Sequence, residues 1–308
     1  MAIEVYALGP GIAAEVRGLR LWEPLDPADV QRLRRLFGEH GVLVFRRQSL
    51  SEHEYADFCA LFGSLEHTVR TDWASRVRPE IGLITNLKGS NGNPLGGLGD
   101  GEVEWHSDQT YMANPATGAA LYAVELPPEG GRTYWANLVA AYEALPERLK
   151  QAIDGKNAVF RYQKRLNKYK GADQKLPEEG RKRTPDVLHP LVHVHPLSGK
   201  KALYLDPTTS IGVVGMAEAE GNALLDELAA HAIQPQFVYT HNWQVGDVLL
   251  WSNGCLMHRR EPFPSSDRRL MKRATLHLPA DLHIIPKTFM PAEMAAEYSA
   301  RALTPPSA

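Results

Sequence analysis

The sequence predicts an α+β fold with a mainly β core and helices outside it. Three observations carry this. From 118 to 279 the chain runs mostly as short apolar strands joined by turn signals, interrupted by one helical stretch at 217–231, the pattern of a double-sheet or barrel core. Two helices with explicit caps precede that region. The composition, 44% hydrophobic and 23% charged over 308 residues, allows a sizeable buried core.

The elements follow in chain order. Asp26-Pro27 reads as a helix N-cap followed by proline at the first helical position, with Val30, Leu33, Leu36 and Phe37 at helical spacing. Gly41–Phe45 (GVLVF) reads as a buried strand. Ser51 and Glu54 have the spacing of a capping box. Tyr55, Phe58, Leu61 and Phe62 give that second helix an apolar face, and Gly63 is placed to stop it. Strands are expected at Ile81–Thr85, Gly118–Glu125, from Thr133, near Leu203 and Val238, at Val248–Trp251 and over Lys272–Leu278, with a short helix over Leu138–Leu145. The expected organisation is one catalytic domain, 1–308, with elements 1–80 packed on a core at 81–285.

Two loops have the composition of lids. Residues 86–101 are rich in Gly and Asn, and the GGLGDG at 96–101 lacks the strand–loop–helix setting of a dinucleotide site. The 161–185 region is basic, with nine Lys or Arg against three acids over 161–183. It reads either as an exposed basic face or as a lid over an anionic ligand.

Formal net charge is −2, so nothing in the overall charge favours nucleic acid or an anionic membrane. The two cysteines, Cys59 and Cys255, form no CxxC pair, which fits a reduced compartment. The N-terminus has no basic start followed by an apolar segment, and no apolar stretch reaches membrane-spanning length. A soluble cytoplasmic protein is expected.

Chemistry enters at Glu104-Trp105-His106-Ser107-Asp108. In extended chain, residues i and i+2 point to one side, so His106 and Asp108 can aim at one point. His258, after the buried strand ending at Trp251, supplies a third ligand. Two histidines and a carboxylate make a facial triad with open coordination positions, suited to iron(II), although zinc in a hydrolase takes similar ligands. Arg269 follows His258 by eleven residues. A planar guanidinium binds a carboxylate through two parallel hydrogen bonds, and Thr133 offers a hydroxyl. A keto-acid cosubstrate such as 2-oxoglutarate needs such an anchor, and a simple zinc hydrolase does not. His189, His193 and His195 lie close in sequence, but no further ligand at suitable spacing joins them. Cys255, Trp105 and Trp251 read as packing residues.

Segments spread over nearly the whole chain resemble the taurine dioxygenase/2,4-dichlorophenoxyacetate dioxygenase family of Fe(II)/2-oxoglutarate-dependent oxygenases. They include HGVLVFRRQSL, FGSLEH, WHSDQTY, GAALYAVELPPEGGRTYW, HPLVHVHPLSGKKALYLDP, WQVGDVLLWSNGCLMHR and RRLMKRATL. The resemblance implies a double-stranded β-helix, or jelly roll, with flanking helices. It implies a metal on His106, Asp108 and His258, and 2-oxoglutarate held by Thr133 and Arg269. Arg273 matches the position that holds the anionic group of taurine in the namesake enzyme. His67 and Asn86 lie in the region that shapes the family's substrate pocket and are further substrate-binding candidates. The chain departs from the family's WDNR-like segment at Trp251-Ser252-Asn253-Gly254.

The implied reaction uses Fe(II), 2-oxoglutarate and O2 to oxidise a small anionic organic substrate, forming succinate and CO2. Hydroxylation is the expected outcome, with carbon–heteroatom cleavage where the carbon carries a heteroatom. A homo-oligomer, dimer or tetramer, would be ordinary for the family. The competing readings are a zinc-dependent hydrolase and a non-catalytic jelly-roll protein that binds an organic acid.

Overall fold

The computed structural model describes residues 3–68, 71–162 and 185–289. It is mostly β with few helices. The largest sheet has nine strands among the described residues. Along it run Glu4–Leu8, Ala13–Arg17, Val42–Phe45, Val248–Ser252, Gly118–Glu125, Leu270–His277, Ile81–Thr85 and Gly97–Leu98, and Ser64–Glu66 also pairs with Leu270–His277. A four-stranded sheet runs Val238–His241, Thr133–Asn137, Leu256–Arg260, Val103–His106.

Alternation of side chains sorts residues between layers. On the large sheet Ala120, Tyr122, Leu250, Ala274 and Leu276 face outward and pack with Leu33, Phe37, Tyr55 and Phe58 of the two N-terminal helices. On its other face Val42, Val44, Ala119, Leu249 and Trp251 meet Trp135, Tyr239 and Leu256 of the four-stranded sheet. The outer face of the small sheet, through Ala136 and Met257, packs on Leu138, Leu149, Leu225 and Leu228 from helices Leu138–Glu143, Glu147–Ile153 and Glu218–Ala232. The space between the sheets is therefore walled by inward residues of both, and the functional residues lie there.

The local signals translate as expected at the helix starts. Asp26 accepts from the backbone N–H of Ala28, Pro27 opens the helix Pro27–His40, and Gly41 closes it at φ 72°. Ser51 and Glu54 form a complete capping box on Glu52–Ala60, a device worth about 1 kcal/mol. Gly63 serves another purpose than stopping this helix, which ends at Ala60 with Leu61 as its cap. A Cβ at 63 would lie 2.4 Å from the carbonyl oxygen of His277, so glycine is needed for the close approach of two backbones. The helix expected over 138–145 stops at Glu143, and a second begins at Glu147.

An N-terminal hairpin, Glu4–Leu8 with Ala13–Arg17, extends the large sheet and has no counterpart in the sequence reading. The loop 86–101 is less irregular than its composition implies. Gly97–Leu98 pairs in parallel with Ile84–Thr85, and Arg260 donates to the carbonyls of Leu98, Gly99 and Gly101. Of the basic region 161–185, residues 163–184 lie outside the described residues. No helix among the described residues is long and apolar enough to cross a membrane.

Candidate active site

Two neighbouring strands of the small sheet place the histidines. His258 is directly opposite His106 in the antiparallel register, and their ring centroids are 4.1 Å apart. Asp108 lies just past the strand end, where the chain turns. Its Oδ1 lies 3.8 Å from Nε2 of His106 and 3.9 Å from Nε2 of His258. One ligand atom from each of the three residues falls within 4.8 Å of the others, and among the described residues this is the group of His, Cys, Asp or Glu side chains so arranged.

Protonation follows from the hydrogen bonds. Nδ1 of His106 donates to the carbonyl of Glu104 at 2.7 Å. A carbonyl only accepts, so in the neutral ring Nε2 keeps its lone pair toward Asp108. Burial, then the neighbouring His106, holds His258 well below the usual imidazole range, which favours the neutral, ligating form. Burial pushes the Asp108 carboxyl upward, but the Arg273 guanidinium at 2.7 Å outweighs it, and the group is held well below the usual carboxylate range. Oδ2 of Asp108 is buried without a hydrogen-bond partner. Two imidazoles beside an ionised carboxylate with an unused buried oxygen are a donor set that fits a divalent metal.

The strand Leu270–His277 of the large sheet faces this group. Arg269, Met271, Arg273 and Thr275 are spaced by two, and Arg273 and Thr275 line the cavity beside the triad. The two arginines are thus on the inner side, as their spacing predicts. Arg269 is fully buried, and its Nε and Nη1 have no hydrogen-bond partner. Burial, then the nearby Arg260, pushes its pKa down to about 9. Arg260 is itself buried and shifted down to about 10 by desolvation. Two buried guanidiniums with N–H groups left over make a site that wants an anion.

The wall beside Arg269 is built for that approach. Gly131, at φ 68°, would carry a Cβ only 3.4 Å from Nε of Arg269. Thr133 is buried on the strand after this turn, and its Oγ1 accepts from Nε1 of Trp243 at 2.9 Å. The indole uses the oxygen's lone pair and leaves the Thr133 O–H free to donate.

Asn86 does not line the cavity beside the triad. Its Nδ2 donates to the carbonyl of Asp267 at 2.7 Å and its Oδ1 accepts from the backbone N–H of Arg269 at 3.1 Å. Thr85 adds a bond from Oγ1 to the carbonyl of Arg269 at 2.5 Å. Both ends of the Asn86 amide are therefore committed to the backbone that aims Arg269, which corrects its reading as a substrate contact. His67 does line the cavity. So do Trp73, Ile84, Tyr111, Met112 and Tyr162, in a space of about 460 Å³ open to His106, Asp108 and Arg273.

Further residues support the site that the motif reading passed over. Asn253, between Ser252 and Gly254 where the chain departs from the WDNR-like segment, accepts from Nε1 of Trp251 at 2.8 Å, and its carbonyl accepts from Oγ of Ser107 at 2.9 Å. It thus braces the residue between His106 and Asp108. Asp206, inside the quoted LYLDP segment, meets the same turn from another side. His189 is spent on structure, with its two ring nitrogens against the carbonyls of Thr110 and Lys287. No second metal cluster includes it, His193 or His195 among the described residues.

Comparison with known proteins agrees with this geometry. The family model "Taurine catabolism dioxygenase TauD, TfdA family" matches residues 4–275. An alpha-ketoglutarate-dependent 2,4-dichlorophenoxyacetate dioxygenase of Cupriavidus pinatubonensis is 35% identical over 292 residues, covering 89% of this chain and 98% of that protein. The (S)-phenoxypropionate/alpha-ketoglutarate-dioxygenase of Sphingobium herbicidovorans is 33% identical, covering 88% and 93%. Among solved structures, AAD-2 in complex with Mn(II) and N-oxalylglycine superposes with a TM-score of 0.77 at 29% identity, covering 90% of this chain and 97% of that one.

Proposed function

We infer the activity of this chain from its family: it belongs to the taurine catabolism dioxygenase TauD, TfdA family, and it is a 2-oxoglutarate-dependent dioxygenase that acts on a small organic substrate. Within that class we assign the parts. His106, Asp108 and His258 hold Fe(II), Arg269 and Thr133 hold the distal carboxylate of 2-oxoglutarate, and Arg273 faces an anionic group of the substrate. The two facing sheets with helices outside are read as a double-stranded β-helix.

The observation that carries this assignment is Arg269. A buried cation with unpaired N–H groups is costly unless an anion completes it, by several kcal/mol for a single uncompensated charge. The carboxylate of a cosubstrate completes it, with Thr133 donating one more hydrogen bond. A zinc hydrolase has no use for such a pocket, and the family membership does not favour that reading.

Held there, iron(II) with 2-oxoglutarate and O2 would supply the oxidising chemistry, in which 2-oxoglutarate would end as succinate and CO2 and the substrate would gain one oxygen atom at a C–H bond. The chain's own work is geometric. His106 and His258 present neutral nitrogens from paired strands, and Asp108 adds the charge. Arg269 and Thr133 set how deep the cosubstrate sits. Arg273 stands at the cavity beside the triad, so an anion held there has its neighbouring carbons near the metal position. Trp73, Tyr111, Met112 and Tyr162 exclude water from that space. The carboxylates named in the two dioxygenase relatives support an anionic substrate.

The test is anaerobic addition of Fe(II) and 2-oxoglutarate to metal-stripped protein. A weak visible charge-transfer band is expected, and it should be absent in Arg269→Gln at the same concentrations. No band in the wild type, or an undiminished band in the variant, overturns the assignment. A succinate-release screen over aryloxyalkanoates, sulfonates, alkyl sulfates and amino-acid derivatives then identifies the substrate.

A further inference from the structure

We propose that Asp206 is a positioning residue for the metal site: its carboxylate holds the turn that presents Asp108. The proposal rests on the ligand assignment above and concerns a residue that touches neither metal nor cosubstrate in that assignment.

The turn needs holding. Immediately after Asp108 the chain passes through Gln109 at φ 55°, a left-handed conformation that a non-glycine residue keeps only when its surroundings enforce it. If the turn relaxes, Asp108 is the side chain that moves, because it lies between the end of the His106 strand and this residue.

Asp206 grips the turn on both sides of Asp108. Its Oδ2 accepts from Oγ1 of Thr110 at 2.8 Å and from the backbone N–H of Ser107 at 3.4 Å. Its Oδ1 is occupied by the backbone N–H and hydroxyl of Thr208, both at 2.7 Å, and by the N–H of Thr209 at 3.2 Å. Thr110 and Thr209 also share a hydroxyl bond at 2.7 Å. Asp206 is 2% exposed, so these five donors replace water around a buried carboxylate. The residues on its Oδ1 side, Thr208 and Thr209, line the substrate cavity. One carboxylate therefore ties the cavity wall to Ser107 and Thr110, on either side of Asp108.

The other supports of the turn do not reach the same atoms. Gln109 is held by Glu66 at 3.1 Å and by the N–H of Ala116 at 3.0 Å, and Ser107 Oγ by Asn253. Among the described residues Asp206 alone engages Thr110 and the Ser107 backbone together, and an apolar residue there would leave the Ser107, Thr208 and Thr209 N–H groups unpaired in a buried site.

The experiment measures Mn(II) binding to metal-stripped protein by electron paramagnetic resonance of the free ion. In Asp206→Ala the Kd is expected to rise at least tenfold. In Asp206→Asn, which keeps one oxygen but turns N–H groups toward Ser107, it should rise by a smaller factor. Thr110→Val should weaken binding too, and the double variant with Asp206→Ala should lose less than the product of the single effects. Thermal melting of each metal-free variant checks folding, with Asp206→Asn and Thr110→Val as the readout if Asp206→Ala does not fold.

A Kd within twofold of wild type in the folded variants, even with a lowered Tm, overturns the proposal, since it leaves Asp206 only a stabilising role. So does a double variant whose loss equals the product of the singles. The ligand assignment is tested separately: wild type that fails to bind Mn(II), or His106→Ala that binds as wild type does, refutes that reading instead.

Discussion

Nη2 of Arg273 lies 2.7 Å from Oδ1 of Asp108, the same oxygen that faces Nε2 of both His106 and His258. Under the assignment proposed above, Arg273 is the counter-charge of Asp108 once the metal is stripped. On that assignment a divalent ion bound there would take over the role and free the guanidinium for an anion in the cavity. Removing one partner of a buried pair leaves the other uncompensated, at a cost of about 3–5 kcal/mol when both are deeply buried and less here, where Arg273 is partly exposed.

Arg273→Leu should therefore destabilise the metal-free protein more than the Mn(II)-loaded one, because the ion restores the missing charge. Thermal melts with and without Mn(II) measure the difference, and an equal loss in both states contradicts the counter-charge role. In turnover assays the same variant should raise the substrate KM at least tenfold while the Kd for 2-oxoglutarate stays within about twofold. If cosubstrate binding alone suffers, the roles of Arg269 and Arg273 are exchanged.

Arg269→Met should separate stability from function. The metal-free protein loses a buried cation with unpaired N–H groups and gains an apolar side chain of similar length, so its Tm should rise or hold. Binding of N-oxalylglycine should weaken about 100-fold, the equivalent of losing close to 3 kcal/mol of charge-assisted hydrogen bonds. Calorimetry on the Mn(II) form reads this directly, and tight binding by the variant removes Arg269 from the cosubstrate site.

Trp243→Phe tests the polarity of Thr133. Without the indole N–H on Oγ1, the hydroxyl is free to point its proton elsewhere, and 2-oxoglutarate affinity should fall severalfold. Mn(II) affinity should not change. In a double-mutant cycle with Thr133→Val the two losses should be strongly non-additive. Additive losses mean that Trp243 acts through packing and not through Thr133.

The acid limb of stability is set by buried histidines as well as by Asp108. His283 packs against Phe37 with tilted rings, centroids 4.7 Å apart, and burial, then His195, pushes its pKa down to about 3. His193 is pushed down to about 4 by burial, then by His189 and Lys287. A histidine with a lowered folded pKa binds its proton in the unfolded chain first. Its contribution is intact above the unfolded value near 6.5 and is lost as pH falls from there toward the folded value. Each such group adds a slope of about 1.4 kcal/mol per pH unit in that window. His283→Phe should flatten the dependence of unfolding free energy on pH between 6 and 4 by about that amount, as measured by denaturant titration. An unchanged slope shows that His283 takes up its proton in the folded state.

Much of the fold was legible because its signals are local. The caps at Asp26 and Ser51 act within four residues, and strand alternation is read from neighbours. The inward face shared by Arg269 and Arg273 follows from the spacing of one strand. Gly63 and Asn86 were misread because their reasons are distant in sequence. Gly63 is required by the backbone at His277, and Asn86 is spent on the backbone at Asp267 and Arg269. No local pattern reports a contact nearly 200 residues away.

By itself the sequence determined the kinds of side chain that make the site and the strand periodicity that turns them inward. His106 and Asp108 share an extended segment, and Arg269 and Arg273 share another. Which of these segments meet was decided only by the tertiary structure. Antiparallel register sets His258 opposite His106, and the closure of two sheets brings Arg273 from the large sheet onto Asp108 beside the small one. The physical reason is range: periodicity and capping are short-range properties of the chain, whereas register and sheet closure are settled by the burial of Trp135, Trp251, Leu249 and Leu256 between the sheets.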